Sequence, residues 1–170
     1  MKVNRKQFLG TALASSAGLL LPTAFIQAKN QDGPPRLKNE IVQEFVGIAH
    51  RDINRVKEMH AEHPTLLNAA WDWGGGDFET ALGAASHVGN KEIIYYLLGK
   101  GAQMNFLTAC VLGEMDMVKA MVSYNANLIH MKGPHGFTAL HHAIVGGEEA
   151  KDVKKYLELF GMKEKKIKLY

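Results

Sequence analysis

The sequence predicts an all-α fold, a solenoid of about four helix-turn-helix copies with irregular finger loops. Residues 80–89 read Thr-Ala-Leu-Gly-Ala-Ala-Ser-His-Val-Gly, and residues 138–147 restate them as Thr-Ala-Leu-His-His-Ala-Ile-Val-Gly-Gly. Apolar residues follow each segment at helical spacing, which places them on one face of a second helix. A two-helix unit of this size cannot bury such a face alone, so the copies must stack and share one elongated core.

The repeat extends through residues 40–161. A third copy lies between the two related segments, and its glycine, Gly113, follows Gly89 by 24 residues and precedes Gly147 by 34 residues. A fainter first copy begins near Phe45. We therefore predict four copies, of which the third is the shortest.

The first helix of the second and fourth copies has clear boundary signals. Thr80 and Thr138 are suited to cap it, because a threonine hydroxyl accepts a hydrogen bond from a free N–H of the first turn. Gly89, Gly113 and Gly147 supply a permissive backbone at which the first helix of each copy can end.

Three segments resemble the ankyrin repeat, namely Thr-Ala-Leu-His at 138–141, Gly-Asn-x-x-Ile-Ile-x-x-Leu-Leu at 89–98 and Gly-Ala at 101–102. The resemblance implies a non-enzymatic stack that binds proteins through its finger tips and inner helices, which line a concave face. It assigns His141 a structural hydrogen-bonding role between neighbouring turns. It also implies that the 24-residue spacing leaves the third copy no room for a β-turn finger.

Residues 1–28 are predicted to be an export signal peptide. Three bases, the last of them Lys6, precede the uncharged residues 7–28, which is the layout of such a signal. Residues 4–10 resemble the twin-arginine signal of bacteria with Lys6 in place of the second arginine, so the twin-arginine and general secretory routes both stay open. We expect a protein that is periplasmic or otherwise exported to the bacterial cell envelope, with no stable membrane anchor after cleavage.

The predicted domain organisation places a linker at 29–39, the repeat domain at 40–161 and a basic tail at 162–170. The chain has 20 Lys and Arg against 17 Asp and Glu, but three bases belong to the signal. The remaining 17 bases balance the 17 acids, which argues against a nucleic-acid partner. The tail carries four lysines against one acid, and we expect a solvated end, with weak contact to anionic lipid as the alternative.

The finger that leads into the second copy holds both tryptophans of the chain. It either presents aromatic anchors to a partner or folds over the end of the helix stack, and we expect one tryptophan ring to be buried and one reachable. The second finger and the inner helices complete the predicted surface. The predicted partner-binding residues are Trp71, Asp72, Trp73, Phe78, Glu79, His87, Val111, Lys132, His135 and Phe137.

We predict no cofactor, no metal and no catalytic residue for a protein that is monomeric in isolation and binds a protein partner of unknown identity. His60 and His63 have a spacing that a divalent metal can use, but the sequence fixes no third ligand beside them. Cys110 is expected to be a packed thiol. The rival hypothesis is a small-molecule- or metal-responsive protein that uses His50, His87 and His135 along the concave face.

Overall fold

The computed structural model describes residues 35–170, which form four helical pairs and confirm the predicted all-α solenoid. The predicted signal peptide, 1–28, and residues 29–34 of the predicted linker lie outside the described residues. The pairs are α1 Asn39–Ile48 with α2 Ile53–Glu62, α3 Ala81–Val88 with α4 Lys91–Gly99, α5 Phe106–Leu112 with α6 Met115–Tyr124, and α7 Ala139–Val145 with α8 Lys151–Leu159. Two strands, β1 Ala70–Asp72 and β2 Phe78–Thr80, and four short 3-10 segments, Pro64–Asn68, Ala126–His130, Pro134–Gly136 and Gly147–Ala150, complete the described elements.

The threonine caps are confirmed. Each hydroxyl oxygen accepts a hydrogen bond from the backbone N–H three residues later, at 3.0 Å for Thr80 and 3.3 Å for Thr138. The helices α3 and α5 end at Gly89 and Gly113, whose backbones are left-handed. Gly147 lies one residue beyond the C-cap of α7 and opens a short 3-10 turn.

The core consists of two clusters of buried apolar side chains that meet at α5. All seven residues of α5 are buried. Val111 and Leu112 belong to the cluster that extends back to α1, whereas Phe106 and Cys110 belong to the one that extends forward to α8. Since each large apolar side chain contributes about 1.5–3 kcal/mol on full burial, α5 couples the stability of the two halves of the stack.

The short third copy brings the second and fourth copies into direct contact. Residues 100–105 link α4 to α5 without a hairpin, as the glycine spacing predicts. The helix α3 packs against both α5 and α7, and His141 Nε2 donates a hydrogen bond to the His87 carbonyl oxygen at 2.8 Å. The Lys91 ammonium also crosses between these copies, donating to the Gly146 carbonyl oxygen at 2.7 Å. In a regular solenoid each copy contacts only its neighbours. The contact between the second and fourth copies therefore distinguishes this fold from a regular solenoid.

This contact corrects the prediction that Val111 belongs to an accessible surface. Val111 is fully buried. The end of α7 lies against it so closely that a Cβ at Gly146 would overlap the Val111 carbonyl oxygen. The helix α7 therefore covers the face of α5 that repeat geometry assigns to the concave side.

Two fingers extend from the same side of the stack. In the first finger, residues 70–80, β1 and β2 pair antiparallel, and the Asp72 carboxylate accepts hydrogen bonds from two glycine N–H groups of the turn at 2.8 and 3.1 Å. The second finger, residues 131–138, is closed by an antiparallel bridge between Lys132 and Thr138. The two fingers meet where the Asp77 carboxylate accepts a hydrogen bond from the His135 backbone N–H at 2.8 Å.

The basic tail packs against both fingers, so the expectation of a freely solvated end is wrong. The Ile167 N–H donates to the Gly136 carbonyl oxygen at 2.9 Å, and the Thr138 N–H donates to the Lys165 carbonyl oxygen at 3.1 Å. The Tyr170 ring lies beside the first finger's turn. The lysine content of the tail does not predict this packing, because the lysine side chains stay in solvent while the tail backbone makes the contacts.

The single cysteine behaves as predicted. Cys110 is fully buried, and burial raises the pKa of its thiol to about 12. A thiol with so high a pKa is almost entirely protonated at neutral pH and is a poor nucleophile. Within residues 35–170, no helix has both the length and the apolar character needed to cross a membrane.

Acid should destabilise the stack through His142. This side chain is buried, its Nδ1–H donates to the Thr138 carbonyl oxygen at 2.8 Å, and burial lowers the pKa of the imidazole to about 4 from 6.5. In the unfolded chain His142 binds a proton as the pH falls below 6.5, whereas in the folded chain it binds one only at about pH 4. The contribution of His142 to the free energy of unfolding is therefore complete above pH 6.5 and falls by about 3 kcal/mol as the pH decreases to 4.

Urea unfolding at intervals between pH 7 and pH 4 measures this change. His142→Gln should flatten the pH dependence. A smaller slope should remain, to which His141 contributes, because burial also lowers the pKa of its imidazole. The same change at the exposed His130 should leave the dependence as it is in the parent protein. Equal slopes for H142Q and the parent would contradict the assignment.

The attachment of the tail should depend on Gly136. Its φ is +77°, and a Cβ there would overlap the Ile167 carbonyl oxygen, whereas Gly147, with φ +70°, has no heavy atom within 4 Å of a Cβ. Both Gly→Ala changes should destabilise the protein by about 1–2 kcal/mol through left-handed backbone strain. Only G136A should also displace the tail, so trypsin should cut its lysines at least about tenfold faster than in G147A. Equal cleavage rates in the two variants would refute the contact.

Candidate functional site

A buried carboxylate, that of Glu79, lies at the centre of the finger side of the stack. Glu79 is on β2, one residue before the α3 cap, and it is only 1% exposed. The Trp73 Nε1–H donates to its Oε2 at 2.8 Å. A carboxylate removed from water needs several such partners to stay charged, and one indole N–H supplies only part of that requirement.

Three histidines from three parts of the chain surround this carboxylate. His50 follows α1 and places Nε2 3.8 Å from Glu79 Oε2, His87 on α3 places Nδ1 2.9 Å from Oε1, and His135 in the second finger places Nε2 3.6 Å from Oε2. Taking one nitrogen from each ring and one Glu79 oxygen, the four atoms all lie within 4.8 Å of one another. We call His50, Glu79, His87 and His135 the histidine cluster.

Hydrogen bonds on the far side of two rings fix their tautomers. The His50 Nδ1–H donates to the Gly47 carbonyl oxygen at 2.9 Å, and the His135 Nδ1–H donates to Asp77 Oδ2 at 2.7 Å. A carbonyl or carboxylate oxygen only accepts, so the proton sits on Nδ1 in each ring. In the neutral rings, both Nε2 lone pairs therefore face the Glu79 carboxylate.

His135 is held in place by more than its ring. It has a φ of +58°, a left-handed backbone conformation that is uncommon outside glycine. Asp77 stabilises it through both carboxylate oxygens, one bound to the backbone N–H and the other to the imidazole. Such strain persists only where surrounding contacts enforce it, and here the first finger enforces the position of His135 in the second.

Among residues 35–170, two buried polar atoms of the cluster have no hydrogen-bond partner, namely Glu79 Oε1 and His87 Nδ1. They are 2.9 Å apart, yet their orientation does not allow a hydrogen bond between them. His87 is 7% exposed and Glu79 1%. Unsatisfied buried polar atoms destabilise a protein by about 1–3 kcal/mol each. We therefore expect a bound group that contacts both atoms.

An aromatic side chain closes the cluster on the side of the fourth copy. Phe137 stacks on His141 with ring centroids 4.1 Å apart and lies 5.0 Å from His87. The Lys166 ammonium of the tail lies 4.8 Å above the Phe137 ring. His141 thus combines its predicted structural hydrogen bond, to the His87 carbonyl oxygen, with a stacking role.

Three grooves open around the two fingers. One of about 520 Å³ runs along the end of α1 between Trp73 and His50. A second of about 520 Å³ lies between His135 and the tail. The third, of about 260 Å³, separates Phe78 of the first finger from Lys132 of the second, and we call it the inter-finger groove.

The predicted partner-binding residues separate into an exposed and a buried set. Asp72, Trp73, Phe78 and Lys132 are exposed, and Trp71, His135 and Phe137 are half-buried. Glu79, His87 and Val111 are buried, so the prediction of accessible side chains is wrong for these three. Glu79 and His87 are buried because the second finger and α7 close over them.

The tryptophan expectation is met in part. The Trp73 ring is reachable, with 39% of the residue exposed. The Trp71 ring is half-buried and packs against the core cluster that extends to α1, so neither ring is fully buried.

The spacing of His60 and His63 does not produce a ligand group. His60 Nδ1 lies 3.2 Å from the Tyr96 hydroxyl oxygen. Within the described residues, the group that could hold a metal ion is the histidine cluster. Asp77 was not anticipated, although its position two residues before Glu79 places both carboxylates on one side of an extended chain.

Comparison with known proteins supports the repeat assignment. Residues 82–160 match the family model described as Ankyrin repeats (3 copies). No curated protein and no solved structure matches the chain. Ankyrin repeats generally mediate protein–protein interaction and are typically non-catalytic. Residues 82–160 therefore contain ankyrin repeats, and the described residues 35–170 form an all-α solenoid of helical pairs.

Proposed function

We propose that this protein is a non-enzymatic protein-binding module of the bacterial cell envelope that binds its partner through the two fingers. The observation that carries the proposal is Phe78, an aromatic residue at the edge of the inter-finger groove that is 62% exposed. Large aromatic side chains dominate the energetics of protein interfaces. Held on a short hairpin, Phe78 is already in place for a partner.

The inter-finger groove has the composition of a small interface. Leu107, Met131 and Leu169 supply apolar walls, and Asn105 and Lys132 supply polar groups. A groove of this kind suits an extended segment that inserts one apolar side chain and pairs its backbone or acidic groups with the rim.

Charge around the fingers favours an acidic partner. Lys132 and the tail lysines lie on the finger side, because the tail is paired with the second finger. Complementary charge accelerates association and orients the partner more than it increases affinity. We therefore propose a protein segment with an apolar anchor flanked by Asp or Glu.

Export to the envelope, the absence of a stable membrane anchor after cleavage and a monomeric state in isolation are parts of the same proposal. Export and the absence of an anchor rest on the predicted signal peptide, 1–28. A twin-arginine route would carry the stack across the membrane already folded, which suits a fold whose second and fourth copies must meet.

A second candidate function is a metal-responsive protein, the hypothesis that His50, His87 and His135 raise from sequence. Their convergence on Glu79 favours it over a small-molecule receptor. In that case the fingers would respond to the metal, and partner binding would be the output.

Photo-crosslinking in the bacterial host should identify the binding face. A photoreactive residue at Phe78 or Lys132 should crosslink to one protein species, because both positions border the inter-finger groove. The same residue at Tyr124, which is 94% exposed and lies at the end of α6, should not. Once the partner is purified, Phe78→Ser should weaken its binding at least about tenfold, or about 1.4 kcal/mol. Tyr124→Ser is the matched control, and crosslinks at Tyr124 without any at Phe78 would reject the finger face.

Export should depend on Arg5 if the route is the twin-arginine one. Arg5→Gln should leave the uncleaved chain inside the cell, because that route reads the arginine itself. Lys2→Gln removes one charge from the same region and should be exported normally. Fractionation of cells expressing each variant measures this. Equal export of R5Q and K2Q would exclude the twin-arginine route and favour general secretion.

A further inference from the structure

We propose that the histidine cluster, His50, Glu79, His87 and His135, binds a zinc ion that joins the two fingers to the inner helices. The site uses residues from three of the four copies. Its test is independent of the proposed partner, since zinc affinity can be measured on the isolated protein.

The donor set selects the class of metal. Three imidazole nitrogens and one carboxylate oxygen form a borderline-soft set that suits Zn²⁺ and related first-row ions, and is a poor match for Ca²⁺ or Mg²⁺, which take oxygen ligands. Four protein ligands complete a tetrahedron and leave no open position, which is typical of structural zinc sites. We therefore assign the ion a structural role.

The tautomers of the neutral rings favour a cation at the centre of the cluster. With Nδ1 protonated in His50 and His135, each Nε2 presents a lone pair to the Glu79 carboxylate at 3.8 and 3.6 Å. Lone pairs that face an anion repel it unless a positive charge lies between them. A metal ion turns these repulsive contacts into ligand bonds.

The buried atoms without partners point to the same place. Glu79 Oε1 and His87 Nδ1 are nearly inaccessible to water and make no hydrogen bond with the part of the chain that the structure describes. A carboxylate oxygen and an imidazole nitrogen are both atoms that zinc takes as ligands. An ion that contacts both atoms would satisfy them together. A proton shared between them would not, because their present orientation does not allow a hydrogen bond.

Each outer contact of the cluster matches the support that metal ligands receive in proteins. Ligating histidines usually donate their other N–H to a carbonyl or carboxylate oxygen, as His50 does to Gly47 and His135 does to Asp77. The Glu79 carboxylate is likewise held by the Trp73 indole N–H at 2.8 Å.

The distances are close enough for a modest adjustment. Zinc bonds of 2.0–2.1 Å place neighbouring ligand atoms about 3.3 Å apart in a tetrahedron, whereas the four atoms here lie within 4.8 Å of one another. Zinc would bring the most distant of these atoms closer by up to about 1.5 Å, and the two histidines that must move, His50 and His135, lie outside the regular helices. The groove between Trp73 and His50 provides a route of access.

The competing explanation is a proton in place of the metal. A protonated His87 or His135 would form an ion pair with Glu79 and would also relieve the repulsion. That explanation predicts no specific zinc binding at pH 7.5. It also predicts the same thermal stability with EDTA as with zinc.

Titration of zinc into the tag-free, EDTA-treated protein at pH 7.5 distinguishes the two explanations. We expect one Zn²⁺ per chain with a Kd below about 1 µM, a higher Tm with zinc than with EDTA, and absorption typical of tetrahedral Co²⁺ when cobalt replaces zinc. His50→Asn should weaken binding at least about 100-fold, and Asp77→Asn, which alters only the support of His135, about 10–100-fold. His130→Asn, the same change at an exposed histidine, should bind as the parent does.

Circular dichroism of each variant checks that it is folded, and if H50N does not fold, D77N and His135→Asn carry the test. No binding at pH 7.5, a Tm equal in zinc and EDTA, or an affinity that the folded H50N and D77N variants leave unchanged would each overturn the site. Phe78→Ser should bind zinc as the parent does. The zinc site and the partner surface can therefore fail separately.

Discussion

The six-residue connection 100–105, which takes the place of a finger in the third copy, determines how the other elements pack. Without a finger between them, the first and second fingers become neighbours, and α3 packs against α7 across α5. The hydrogen bond from His141 to the His87 carbonyl oxygen and the contact between Asp77 and His135 both follow from this skipped position. A finger of the usual length there would separate Glu79 from His135 and remove the histidine cluster.

The electrostatics of the finger side centre on the Glu79 carboxylate, whose removal from water is energetically unfavourable. Glu79 has one good hydrogen bond, from Trp73, and its other neighbours are imidazoles whose state depends on a proton or a metal. Replacing such a group by an apolar residue of similar volume is often neutral or stabilising for a fold. Its presence, with Asp77 holding His135 in a left-handed conformation, is more readily explained by a ligand than by stability.

Local features of this fold were predictable from sequence, and contacts between distant residues were not. The copies, the threonine caps and the buried Cys110 depend on periodicity and neighbouring residues, which the chain displays directly. The burial of Val111 and His87 depends on α7 reaching past the third copy, which no local pattern encodes. The tail escaped prediction for a related reason, because its four lysines indicate solvent while its backbone completes the second finger. The sequence suggests His50, His87 and His135 as one site but gives no sign that Glu79, which lies between them in the fold, belongs to it.

The strand β2 links the two proposed activities because side chains alternate across a strand. Phe78 points into solvent at the inter-finger groove, and the next residue, Glu79, points into the histidine cluster. A ligand held by Glu79 and His135 would restrict the first finger relative to the second and so restrict the walls of the groove. Restricting a binding surface before its partner arrives lowers the entropy lost on association. A metal in the cluster would then increase partner affinity without contacting the partner, and the partner would in turn increase metal affinity by the same factor.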